Sequence, residues 1–319
     1  MNPAARIIRK AAHIFSGIIY HMQTPHVMDI TSAQLYRRYL LAVPTYDGSG
    51  QAVHPDILVS DTFPRYVLSF TPYPHTQDTY ENPSILISDD GAFFREEKSG
   101  LNPIVFAPET DHNDDPDLFL ENGSFCIVYL ETLRPYRQNL NLLQSSDRCI
   151  WKKKTLFTEN MTSPQRLFML SPAYIRTENG VYLYYVNGSN PDKRSIEYFC
   201  GKDVNSFDFT VHDKAIIDGF LLNPWHIDII RGTNTYFMLL SCIERKNGKN
   251  SFTLHLAYGK NGIGWKFIDK PVLPNCYRSS GFIKDGIMYI YYSHNVVYDE
   301  WYLGLYKIQL SDFFPSGVN

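Results

Sequence analysis

The fold is decided by five short stretches: His54-Pro55-Asp56-Ile57-Leu58, Asp115-Pro116-Asp117-Leu118-Phe119, Ser171-Pro172-Ala173-Tyr174-Ile175, Trp225-His226-Ile227-Asp228-Ile229 and Arg278-Ser279-Ser280-Gly281-Phe282. Each sets a polar or acidic cluster at the head of an apolar run, and such runs favour strands. Counted from Asp56, Asp117, Ala173, Asp228 and Gly281, the steps are 61, 56, 55 and 53 residues. A period of that length filled with short strands is the mark of a β-propeller blade. The expected fold is all-β: a five-bladed β-propeller over residues 46–319, preceded by a short N-terminal helical extension over 1–45.

The rest of each repeat agrees. Turn residues follow the first strand at Glu121-Asn122-Gly123, Glu178-Asn179-Gly180, Gly232-Thr233-Asn234 and Asp285-Gly286. The third strands share a phrase, as in Ile85-Leu86-Ile87-Ser88, Leu140-Asn141-Leu142-Leu143, Leu254-His255-Leu256-Ala257 and Leu303-Gly304-Leu305-Tyr306. Aromatics at Phe93-Phe94, Trp151, Phe207 and Trp265 mark where a fourth, outer strand begins. Helical patterning is confined to the leader and Thr31–Leu41. In the leader, Ile7, Ile8, Ala11, Ile14, Phe15, Ile18 and Ile19 form one apolar face beside Arg6, Arg9 and Lys10. That face is expected to pack on the propeller, with peripheral contact to an anionic membrane surface as the alternative. No small-residue cleavage site follows it, so it is not read as a secretory signal, and no apolar run is long enough to span a bilayer.

Hydrophobic residues make up 44% of the chain, enough for a sizeable core, and aromatics 15%. Most Tyr and Phe are expected as sheet filler, with a few left to stack on flat ligands such as sugar rings. A net charge of −3 gives no footprint for nucleic acid. Five cysteines (126, 149, 200, 242, 276) without a CxxC pair point to buried thiols in a reducing, cytoplasmic setting, with Cys126 and Cys242 in the core.

The first strand of each propeller blade lines the axis, so Asp56, Asp117 and Asp228 are expected to converge, with Glu81 of Tyr80-Glu81-Asn82-Pro83 close by. Cleaving a glycosidic bond needs a carboxylate and a carboxylic acid flanking it, and crowding of carboxylates raises one pKa to make the acid. The plain alternative is that Asp and Pro before strands merely form turns; acids at the equivalent place in three of five repeats favour function. His54 (orienting Asp56 or capping its strand), Tyr73, Ser171, Trp225, His226 and Arg278 complete the expected substrate-binding set. Tyr73 and Trp225 are candidate stacking platforms. Arg278 suits an acidic sugar or phosphate, or else pairs structurally with Asp117 or Asp228. The run Asp111-His112-Asn113-Asp114-Asp115 offers oxygen ligands for a hard divalent cation, but a solvated loop is favoured. No cofactor and no metal-ligand set are assigned.

The five openings resemble those of five-bladed propeller glycosidases: glycoside hydrolase families 43, 32, 62 and 68, and the related family 130 phosphorylases. The resemblance covers residues 50 to 310. It implies a first-blade Asp as base or nucleophile, a second-blade Asp that tunes the acid, and a third-blade Glu that donates the proton. Asp56 and Asp117 match. The third blade carries Ser171-Pro172-Ala173, with Glu178 only in the following turn, so the donor passes to Glu81 or Asp228, or to a water or substrate relay as in family 130. The expected function is cleavage or phosphorolysis of a glycosidic bond in an oligo- or polysaccharide. The alternative is a non-catalytic glycan-binding propeller serving surface polysaccharide assembly.

Overall fold

The computed structural model of the chain describes residues 29–61, 64–134, 137–160, 167–246, 248–297, 299–315 and 318. The strands fall into five sheets. A short strand β1 (Tyr39–Leu40) comes first. The first blade then takes β2 (Ala52–Val59), β3 (Tyr66–Pro72) and β4 (Ser84–Ser88). The second takes β5 (Asn113–Glu121), β6 (Ser124–Leu133), β7 (Arg137–Ser145) and β8 (Lys152–Asn160). The third is β9 (Met169–Thr177), β10 (Gly180–Asn187), β11 (Ser195–Gly201) and β12 (Asp213–Lys214). In the fourth, β13 (Ile216–Asp218) flanks β14 (Pro224–Arg231), β15 (Tyr236–Lys246), β16 (Lys249–Gly259) and β17 (Gly264–Pro274), pairing with β17 in parallel. The fifth is β18 (Arg278–Lys284), β19 (Ile287–Val297) and β20 (Glu300–Gln309). Consecutive strands within each blade pair antiparallel, giving the expected five-bladed propeller.

The abundance of aromatics follows from this geometry. A middle strand is covered on both faces by neighbouring blades, so it reads as a continuous apolar run, and its period of two divides the run between two interfaces. In β10 every residue from Val181 to Val186 is buried. Val181, Leu183 and Tyr185 pack towards the second blade, Tyr182, Tyr184 and Val186 towards the fourth. In β19, Tyr291 faces the first blade and Tyr292 the fourth. There is one such apolar cluster per blade interface. Cys126 and Cys242 lie inside them.

The N-terminal expectation needs correction where it can be tested. Residues 1–28, which carry the proposed leader helix and its membrane-facing alternative, lie outside the described residues. Residues 29–45 form turns and β1 instead of a helix. The reason is the free edge of β20: Tyr39 and Leu40 pair with Leu305 and Gly304 and satisfy groups that would otherwise be exposed. Ile30, Ala33, Leu41 and Val43 fill the seam between the first and fifth blades. Lys307 ties the seam by donating to the carbonyls of Ile30, Thr31 and Ala33.

One local device positions the site. His54-Pro55, Asp115-Pro116 and Ser171-Pro172 each insert two residues opposite one on the next strand. The residue before proline is left-handed in all three, with φ of 53°, 51° and 51°. Proline is tolerated because inner strands have no partner on the axial side. Left-handed backbone at a non-glycine residue is strained, and strain of this kind collects at functional sites. In the fifth blade the position matched to Asp56 and Asp117 by the repeat is Gly281, where a Cβ would stand 2.3 Å from the Tyr289 carbonyl oxygen. No side chain fits there.

Candidate active site at the axial mouth

The five inner strands carry two layers of polar side chains. The deeper layer holds Asp56, Asp117 and Asp228, all buried, with a carboxylate oxygen from each within 4.8 Å of the others. These acids also lace the blades together. Asp56 accepts from the Leu118 N–H of the second blade and the Ser280 hydroxyl of the fifth. Asp117 accepts from the Tyr174 N–H of the third at 2.9 Å. Ser280 in turn accepts from the Ile57 N–H. Ser171 joins the third blade to the fourth through the Ile227 carbonyl and N–H, at 2.7 and 3.0 Å. Ser171 is therefore fully engaged within the protein.

Burial raises the pKa of all three acids. The Ser280 hydroxyl and Leu118 N–H temper the rise at Asp56. At Asp117, the neighbouring Asp56 and Asp228 add to burial and push it well above the carboxylate range. Asp228 is pushed up to about 7 by burial and by Asp56, and its Oδ2 has no partner among the described residues. Such a triad holds protons near neutral pH.

The layer at the mouth is built from the residues that precede the prolines, with one member from the fourth blade: His54, Asp115 and His226. Asp115 Oδ1 lies 3.5 Å from His54 Nε2, 3.3 Å from His226 Nδ1 and 2.7 Å from an Arg278 nitrogen, while Oδ2 accepts from the Ser171 N–H at 2.8 Å. Burial opposes the charge on Asp115, but the surrounding His226, His54 and Arg278 outweigh it and hold the carboxyl ionised, well below its ordinary range. Burial pulls both imidazoles down against the attraction of Asp115, His226 to about 4. They are therefore neutral, and Arg278 is the permanent cation of the layer.

Arg278 is fully enclosed and bonds Asp115 and the Pro116 carbonyl. Its partner is Asp115, not Asp117 or Asp228, and it orders the layer from behind without reaching the open mouth. His54 uses Nδ1 on the Thr71 hydroxyl at 3.0 Å, so it supports the mouth layer and does not orient Asp56. Its Nε2 and both nitrogens of His226 have no hydrogen-bond partner among the described residues.

Glu81 stands beside this layer, with Oε2 3.2 Å from His54 Nδ1. Burial drives its pKa well above normal, against the pull of His112. His112 is itself held as an imidazolium: Asp114, Glu81 and Asp111 overcome burial and raise it to about 11. The Asp111–Asp115 run is thus divided between roles: Asp111 and Asp114 clasp His112, while Asp115 faces the axis. Half-buried aromatics ring the opening. Tyr73 and Trp301 have ring centroids 6.2 Å apart, Trp301 and Tyr277 4.9 Å, Tyr277 and Trp225 5.9 Å. Tyr277 also lies 4.8 Å from His226. Glu178 lies at the opposite end of its strand, in a polar hollow with Arg231 and Lys260.

Sequence reasoning placed Asp56, Asp117, Asp228, Glu81, His54, Tyr73, Trp225 and His226 around one axis, and the structure does gather them there. It weighed Asp115 only as one oxygen ligand in the Asp111–Asp115 run and not as an axial residue, although the residue before proline recurs in three repeats. It passed over Tyr277 and Trp301, which sit off the repeat period and carry no local signal.

No family model matches this chain. The chain is 24% identical over 316 residues to an A type blood N-acetyl-α-D-galactosamine deacetylase of Flavonifractor plautii, covering 76% of this chain but 40% of that protein, so it spans less than half of the relative's length. Among solved structures, an N-acetylgalactosamine deacetylase from F. plautii in complex with blood group B trisaccharide superposes with a TM-score of 0.72 at 20% identity, covering 84% of this chain and 93% of the other. A thermostable family-43 glycoside hydrolase gives 0.61 at 14% identity, covering 84% and 91%. The five-bladed fold is thus the one shared by propeller glycosidases and this deacetylase.

Proposed function

We propose that this chain is a carbohydrate-active enzyme whose reaction centre is the mouth layer, and that it hydrolyses an acyl group carried by a sugar. The observation that carries this reading is the donor set. The His54, Asp115 and His226 ligand atoms lie within 4.8 Å of one another, from two neutral imidazoles with unused lone pairs and one ionised carboxylate. That set fits a divalent cation, with Thr71 fixing the His54 ring and Arg278 the carboxylate as outer supports. A cation bound there supplies Lewis acidity towards a carbonyl and a lowered pKa for water.

The chain's own groups account for the remainder. Glu81, kept protonated by burial, holds a proton beside the layer for the departing amine. Tyr277, Trp225, Trp301 and Tyr73 offer flat faces to the sugar ring. The activity of the deacetylase relative supports the reaction class, as does Ser171-Pro172-Ala173 standing at the third-blade opening where the glycosidases carry an acid.

A second reading, cleavage of a glycosidic bond by the axial carboxylates, is favoured by one observation: Asp228 titrates near 7 beside Asp56. Against it, Asp56 and Asp117 are each held by a backbone N–H of the neighbouring blade. The test is a panel of N-acetylated oligosaccharides followed by mass spectrometry, with and without a chelator. Loss of acetyl that stops on chelation and in His226→Ala supports the reading. Glycosidic fragments lost in Asp228→Asn favour the second. Binding without any product leaves a glycan-binding propeller.

A further inference from the structure

Beside the mouth, between the third and fourth blades, Arg194 lies with its guanidinium carbon 4.7 Å from the centre of the Trp225 ring. The Trp225 ring is in turn 5.5 Å from that of His226, so this cation sits one aromatic ring away from the mouth layer. Arg194 is half-buried, and one terminal nitrogen donates to the Pro191 carbonyl at 2.8 Å. Its Nε is enclosed without an acceptor, and no carboxylate comes within ion-pair distance among the described residues. Asp192 is the acid that influences it, from beyond that distance. Other enclosed arginines have carboxylate partners: fully buried Arg278 holds Asp115, and half-buried Arg148, at the far end of the second blade, grips Glu97 with two nitrogens.

Arg194 also forms one wall of a groove of about 310 Å³ that continues outward with Lys193, Lys214, Phe220 and Leu222. The aromatic neighbour holds the guanidinium flat and partly desolvated, and a planar fork so held matches an oxyanion.

We infer that Arg194 is a specificity residue for an anionic group, a carboxylate or a phosphate, carried on the glycan next to the reacting sugar. The inference rests on the carbohydrate reading above. The sugar ring faces Trp225 and Tyr277 at the mouth, and its charged neighbour crosses Trp225 to Arg194 and the two lysines. Salt weakens this contact, because the lysines are exposed and screened.

Calorimetric titration of the full chain with three oligosaccharides of one backbone tests this: a uronate-bearing form, the same form with its carboxyl reduced to an alcohol, and a phosphorylated form. At least one charged form is expected to bind about tenfold or more tighter than the reduced form, the scale of a charge-assisted hydrogen bond. Whichever form carries the gain identifies the oxyanion. In Arg194→Gln, and in Arg194→Met, which keeps the stem against Trp225, the charged forms should fall to the affinity of the reduced one. Equal binding of all three forms by the natural chain overturns the inference, as does a preference that survives in either folded variant. If the neutral form binds and is turned over without charge preference, only the Arg194 inference fails. If no form binds, the carbohydrate reading fails with it.

Discussion

Replacing Asp228 by Asn should make the protein more stable, and increasingly so as the pH rises. In the folded protein Asp228 titrates at about 7, against an ordinary value of 3.8, because burial and the neighbouring Asp56 disfavour its charge. A folded pKa above the unfolded one contributes stability that is fully present below about pH 4. That stability is lost as pH climbs, and the loss is complete once pH has passed through the folded value. The difference between about 7 and the ordinary 3.8 corresponds to about 4 kcal/mol. The proton belongs to the whole triad, so the variant also eases the ionisation of Asp117. Asn keeps an oxygen for the Ile229 N–H that Asp228 now accepts at 2.7 Å. Urea unfolding of both proteins between pH 4 and 9, with chelator present throughout, gives the difference directly. It should start near its acid-side value, open through the range 4 to 7, and level off about 4 kcal/mol higher. A difference that stays flat, or one that favours Asp at high pH, would show that the triad carries its charge at no cost and would refute the argument.

Other substitutions separate the two layers. Manganese or zinc should raise the melting temperature of the natural chain but not of His226→Ala; at a hundredfold excess over Kd the gain is about 2.7 kcal/mol. Arg278→Met should cost about 3 to 5 kcal/mol in urea unfolding, because it strands the Asp115 carboxylate in a buried site. Ser171→Ala removes a hydroxyl that bonds both Ile227 backbone groups and should cost about 1 to 3 kcal/mol with the site otherwise intact. Glu81→Gln should leave stability almost unchanged, since the carboxyl is already neutral, while turnover falls about a hundredfold or more. In the natural chain, turnover should decline as pH rises through the elevated Glu81 pKa, and a profile without that alkaline limb would remove Glu81 from the proton-donor role.

The blade count and the axial position of three acids were legible because a repeat period records which residues share a role in the ring. The period says which positions point inward. It does not report depth or local handedness. His54, Asp115 and Ser171 adopt left-handed backbone before proline, a conformation that no residue preference announces. Attention to the acid after each proline therefore selected Asp117, in the deeper layer, over Asp115, which faces the two imidazoles. The environment of Arg278 was illegible for a related reason: its partner lies 163 residues away in the chain. Thr31–Leu41 misled in the opposite way, its apolar spacing fitting a helix until the edge of β20 claimed Tyr39 and Leu40.

That pairing has a kinetic meaning. The outermost strand of the fifth blade, β1, precedes the first blade and its three companions follow the fourth, so the ring cannot be sealed until the fifth blade has been made. Contacts of such long sequence separation slow folding. Earlier blades can form during synthesis while the first and fifth still lack each other's surface. The seam is fastened by β1, by Lys307, by the Asp56–Ser280 contact and by the apolar cluster around Ile30 and Leu41, so shortening the chain past Leu41 strips several of these ties at once.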